Sequence, residues 1–175
     1  MRAFAKSILI SILVTVAIFV FTNFIYFFPW YTTLIVETFN VTQIVASDNY
    51  LKEGYKEEVL DNLKDRPIFK KRADDIEISA RKEPDDSNEH SAEGDNDASV
   101  YENDLDANKP YRQRGMPVTV TIKAVYPFSI KLWGETLERE LPVSFTLKTI
   151  GLKHYKDLEY CEYLYDEPDP ECKRL

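Results

Sequence analysis

Few side chains in this 175-residue chain are of a kind that does chemistry. Of its two histidines, His90 lies in an acidic run and His154 near the C-terminus, neither with a second ligand at metal-binding spacing. No glycine-rich phosphate loop, serine elbow or Cys-His nucleophile pattern occurs. Asp95, Asp97, Ser99, Asn103 and Asp106 sit at offsets that loosely match a calcium loop. Such a loop needs glycine at its sixth position, where this chain has Val100, and glutamate at its last, where it has Asp106. The remaining carboxylates fall in polar runs, where a solvated surface is the ordinary outcome. No catalytic, cofactor or metal site is therefore expected, and the chain does not read as an enzyme.

Cys161 and Cys172 are the only cysteines. They can form a disulfide, stay as two free thiols, or bind metal. The disulfide is favoured if the surrounding segment lies outside the cytoplasm. In the chain-entropy model, closing so short a loop stabilises by about 3 kcal/mol.

The elements that would position these residues begin with an anchor. No charged side chain occurs from Ser7 to Val36. A run of this length exceeds the roughly 20 residues that a helix needs to span a bilayer. Its first part, Ile8 to Phe21, is the most apolar, and its second, Phe24 to Tyr31, is aromatic, as suits the headgroup level. Arg2 and Lys6 precede the run and Glu37 is the first charge after it. The positive-inside rule then puts residues 1–6 in the cytoplasm, a transmembrane helix at 7–36 and everything after it outside. A cleaved signal peptide is the competing reading, but no A-x-A-like site closes the most apolar stretch. The domain's net charge also matters: the chain carries −8 overall, which argues against nucleic acid as a partner and against adhesion of the domain as a whole to anionic lipid.

Beyond the span, Val41, Ile44, Val45, Leu51, Tyr55, Val59 and Leu63 recur at helical spacing. They predict an amphipathic helix over 37–66 that continues from the membrane into a head, with Pro29 kinking it and Arg66-Pro67 stopping it. Residues 67–83 and 109–160 read as a β-rich head. Ile76 to Ala80 alternates, as do 118–126, 128–133, 136–141 and 143–150, with a turn at Gly134-Glu135. Such consecutive strands make an antiparallel meander whose apolar face suits the helix stripe. Residues 84–108 are rich in Asp, Glu, Asn and Ser and predict a flexible acidic loop. Residues 161–175 form a C-terminal cysteine loop and tail. The fold class expected is α+β: a long N-terminal transmembrane helix extending into a small antiparallel β-meander head.

This ordering resembles the pilin-like proteins of type IV filament systems, and among them the small TadE-like pseudopilins of Gram-positive tight-adherence systems. The likeness covers the apolar helix to Leu63, the strand at Ile76 to Ala80 and the β region Val118 to Tyr160. Cys161 and Cys172 are similar in placement to the cysteine loop of many type IV pilins. The chain departs from the family at its start, where Arg2-Ala3-Phe4-Ala5-Lys6 precedes the apolar run. No glutamate occurs before Glu37, so the family's processing motif is missing. The resemblance implies a non-catalytic subunit of a cell-surface filament or secretion apparatus. Its partners would be the lipid bilayer, other pilin-like subunits and assembly-platform proteins. The alternative class is a bitopic envelope interaction or sensor protein whose head binds a partner and whose helix only tethers it.

Overall fold

A computed structural model describes residues 2–82, 91–106, 108–132 and 135–158. Helix α1 runs from Arg2 to Asp48 with Pro29 inside it. Its threonines do not disturb the apolar run, because their hydroxyls turn back onto the helix. Thr15 donates to the Ser11 carbonyl (2.9 Å) and Thr22 to that of Ile18 (2.8 Å). The helix changes character along its length. Leu13 is 67% exposed and Tyr26 68% exposed, whereas Trp30, Leu34, Val41 and Val45 are buried on one face. The first half thus presents apolar surface outward and the second half carries the core.

α1 ends where Asn49 adopts φ 62°, the left-handed conformation that asparagine tolerates best after glycine. The amide of Asn49 fixes this turn from outside the helix. Its Nδ2 donates to the carbonyls of Arg112 (2.8 Å) and Lys153 (2.6 Å), and its Oδ1 accepts from Lys153 N–H (2.9 Å). After a two-residue strand, β1 (Leu51–Lys52), a second helix, α2, spans Glu53–Asp65. The single amphipathic helix expected over 37–66 is therefore two helices. Most of the apolar spacing holds across the break, since Val41, Val45, Leu51, Val59 and Leu63 are buried, but Ile44 is exposed and Leu51 reaches the core from a strand. α2 stops at Arg66, whose N–H bonds the Leu63 carbonyl, as the following proline requires.

Turns of 3₁₀ helix at Lys70–Asp75 lead into β2 (Glu77–Lys82). β4 (Pro117–Leu132) and β5 (Glu135–Ile150) pair along their whole length, and the sheet order is β2-β4-β5, all antiparallel. Val118, Val120, Ile122, Ala124 and Tyr126 alternate onto the buried face and pack with Trp30, Leu34, Val41 and Val45. The expected four-strand meander after Gly115 is thus one long hairpin of two strands of 16 residues each. Pro127 and Pro142 do not end them. β2 reaches only as far as Lys123, so no neighbour asks for an N–H from Pro127 on that side of β4, and Pro142 lies on the edge strand β5.

The acidic segment also departs from expectation. Within 84–108, residues 91–106 hold a defined path. Ala92 is fully buried, its N–H donating to the Ala80 carbonyl (2.9 Å) and its C=O accepting from Leu51 N–H (2.7 Å). β3 (Glu93–Gly94) pairs in parallel with β1, and Ser91 bridges Arg81. The segment stitches the interhelix break to the edge of β2. Composition predicts disorder by counting apolar surface, and here backbone pairing supplies the order instead.

Candidate functional site

Two constructions in the fold bear on function. The first is the junction between the exposed and buried halves of α1. Phe27, Trp30 and Tyr31 on the helix meet Phe69, Tyr126 and Phe145 from the head. The Tyr126 ring stands edge-on to Phe27 (5.0 Å between centroids) and to Trp30 (5.2 Å), and its hydroxyl donates to the Asn23 carbonyl (3.2 Å). Trp30 is buried, and its indole N–H has no hydrogen-bond partner among the described residues. Among the described residues, Asn23 is the first position of α1 that the head grips by a hydrogen bond. From Phe4 to Asn23 the helix rises about 28 Å, close to the hydrocarbon thickness of a bilayer. Within the described residues, this is the one helix long and apolar enough to cross a membrane. The exposed Phe24, Tyr26 and Phe28 follow within about 8 Å, where aromatic side chains favour the headgroup level.

The second construction is a polar and aromatic staple at the opposite end of the head. Tyr111 and Tyr155 stack at 3.9 Å, with Tyr50 tilted against Tyr111 at 5.7 Å. Each hydroxyl is satisfied: Tyr50 donates to the Asp95 carbonyl (2.8 Å), Tyr155 to the Asp48 carbonyl (2.7 Å) and Tyr111 to Asp157 Oδ2 (2.7 Å). Lys109, with its side chain 1% exposed, donates to the same Asp157 oxygen (3.0 Å) and approaches Asp106 at 3.3 Å. Gln113 accepts from Tyr155 N–H (3.0 Å) and donates to the Tyr155 carbonyl (2.8 Å).

Burial raises the Tyr50 phenol to about 12, helped by the nearby Asp48 carboxylate. Burial also raises Tyr111 and Tyr155, Tyr111 further through its bond to Asp157. For Lys109, burial acts downward, but the bonds to Asp157 and Asp106 outweigh it and hold the ammonium above its ordinary value. For Asp157, burial acts upward, and the bonds from Tyr111 and Lys109 outweigh it, holding the carboxyl below its ordinary value. These groups are locked in the ionisation states that their bonds require. They hold the C-terminal end of α1, the 91–106 segment and residues 151–158 together.

The residues singled out from sequence fare differently. His154 Nδ1 lies 2.8 Å from Gln113 Oε1, at the rim of the staple. Asp95 Oδ1 accepts from Asp97 N–H and Asp97 Oδ1 from Ser99 N–H, each at 3.0 Å, so these carboxylates shape turns. Asp106 faces Lys109. Among the described residues, no group of three or more His, Cys, Asp or Glu side chains converges on a metal position. His90, Cys161 and Cys172, with the disulfide expected between the cysteines, lie outside the described residues. Sequence reasoning missed Asn49, Lys109, Tyr111, Gln113 and Asp157. A lysine and a tyrosine flanking Pro110 at the end of an acidic run were the available signal for Lys109 and Tyr111. Comparisons with protein-family models, curated proteins and solved structures give no match for this chain.

Proposed function

We propose that this chain is a non-catalytic, pilin-like subunit of a cell-surface filament or secretion apparatus, anchored by the first half of α1. The observation that carries the reading is that one uninterrupted helix, Arg2–Asp48, is apolar and exposed in its first half and forms the core of the head in its second. The head's orientation is thereby coupled to the span, as packing against neighbouring subunits demands and a passive tether does not. Arg2 and Lys6 on the near side of the span favour a cytoplasmic N-terminus and a head outside. Asp95 and Asp97 shape turns and Asp106 and Asp157 pair with Lys109, which supports a structural role for these four carboxylates.

Within lipid, helices recognise one another by shape and packing, because lipid tails are as apolar as the helix. Replacing Ile8 to Val20 with polyleucine of equal length therefore separates subunit from tether. The subunit reading expects normal insertion and surface exposure of the head, with loss of crosslinking to partner proteins and loss of assembly. Full function of the polyleucine form would favour a bitopic interaction protein instead.

A further inference from the structure

The head's chain path places the turn between α2 and β2 toward the junction with the exposed half of α1. α1 leaves the junction, α2 runs back toward it, and β2 leaves again. The turn between α2 and β2 is fixed at two points: Arg66 pairs with Glu37, and the Phe69 ring packs on Trp30 at 5.3 Å between centroids. Trp30 lies about 10 Å along the helix from Asn23. Residues 67–72 are thus held just beyond the exposed aromatic belt of α1.

That turn is chemically unlike the rest of the protein. In a chain of net charge −8, the stretch Lys64 to Asp75 carries a surplus of two positive charges. Two of its cations are committed, Arg66 to Glu37 and Arg72 to Asp75 and Glu140. Lys70 and Lys71 are exposed and have no ion-pair partner among the described residues. Beside them Ile68 is 42% exposed, an apolar side chain projecting from the same turn. Of the three carboxylates in this stretch, Asp75 is engaged by Arg72 and Asp65 and Asp74 are exposed, so the surplus of two positive charges stands after all three are counted.

We propose that Lys70 and Lys71, with Ile68, form a docking surface for the phosphates of anionic lipid headgroups in the leaflet beneath the head. The inference rests on the reading of α1 as a membrane anchor. The headgroup layer adds about 5–7 Å to each side of the hydrocarbon. An extended lysine covers the remaining gap from the level of Trp30, and the distance is about one Debye length at physiological ionic strength. Two lysines next to an anionic surface favour the docked position by about 30-fold. Docking would fix the tilt of the head on its span, a constraint that a single helix crossing the bilayer does not supply.

The test is amide hydrogen exchange of the full-length protein in nanodiscs of phosphatidylcholine alone and with one third phosphatidylglycerol. Slower exchange of residues 67–72 in the anionic discs is expected, reverting to the zwitterionic rate in high salt and in the K70Q/K71Q double variant. Both positions are exposed, so the variant keeps its fold, and protection of β4 and β5 checks this. Equal exchange of 67–72 in the two compositions, with α1 protected in both, overturns the docking surface, leaves the anchor standing and points to an acidic protein partner. Protection of 67–72 in zwitterionic discs by excess inorganic phosphate overturns a lipid source. An unprotected first half of α1 removes the anchor, and the docking surface with it.

Discussion

Replacing Asn49 with alanine tests the break between the two helices. The side chain makes three hydrogen bonds, at 2.8, 2.6 and 2.9 Å, in a residue that is 1% exposed. At about 1 kcal/mol net for each bond, their loss costs about 3 kcal/mol. Alanine is also less tolerant than asparagine of the left-handed φ of 62°, which adds about 1 kcal/mol. Asn49→Ala should therefore destabilise by about 4 kcal/mol, or about 8–16 °C in Tm for a chain of this size. Asn49→Gly loses the same bonds but is free of the backbone penalty, and should be less destabilised by about 1 kcal/mol. The assay is thermal unfolding of the full-length protein in detergent, followed by near-ultraviolet circular dichroism of the buried tyrosines. A shift for Asn49→Ala below about 3 °C would refute the reasoning, because three lost buried bonds predict more. A glycine variant as unstable as the alanine variant would refute the backbone part alone.

Three further outcomes are expected. A Cβ on Gly151 would stand 2.5 Å from Asn49 Cγ, so Gly151→Ala should cost nearly as much as Asn49→Ala, and the double variant should be clearly less than additive in the same melts. Replacing Ser91 to Asp106 with a Gly-Ser linker removes both backbone bonds of Ala92 and should abolish the cooperative near-ultraviolet transition; a Tm unchanged within a few degrees would restore the flexible-loop reading. Tyr50 is raised to about 12, and Tyr111, Tyr155 and Lys109 are raised as well, so each contributes stability that is complete below its unfolded value and lost as pH rises through its folded value. Urea midpoints should therefore fall steadily from pH about 10 to about 12, and Tyr111→Phe should flatten that decline.

Much of this architecture was legible in local pattern. The uncharged run from Ser7 to Val36 was legible as an apolar helix but not in its bounds as a span, since Trp30 and Leu34 near its end pack into the head core; the alternation from Val118 to Tyr126 needs only a period of two. The stop at Arg66 follows from one proline. The break at Asn49 was not legible, because 45, 51, 55, 59 and 63 satisfy a helix as well as they satisfy the observed path. What decides it are carbonyls 63 and 104 residues away, at Arg112 and Lys153. The 91–106 segment was misread for a related reason: composition weighs side chains, while Ala92 is held by its own N–H and C=O. Prolines were over-read as strand ends at 127 and 142, where the missing donor costs nothing on an unpaired edge. Of the staple only Lys109 and Tyr111, flanking Pro110, left a local signal; their partners Tyr50, Tyr155 and Asp157 come from distant segments that share no spacing with them.

The central claim is that a single rigid helix passes from the bilayer into the head. It is tested most directly by pulsed electron-spin distance measurement in lipid nanodiscs. Labels would replace Val20 and Gln43, both exposed, in a background with Cys161 and Cys172 changed to serine. An uninterrupted helix predicts one narrow distribution centred on about 35 Å of backbone separation, unchanged by detergent or lipid. A broad distribution, or one whose mean shifts between detergent and lipid, would mean that the helix hinges near Pro29 and that the head is merely tethered.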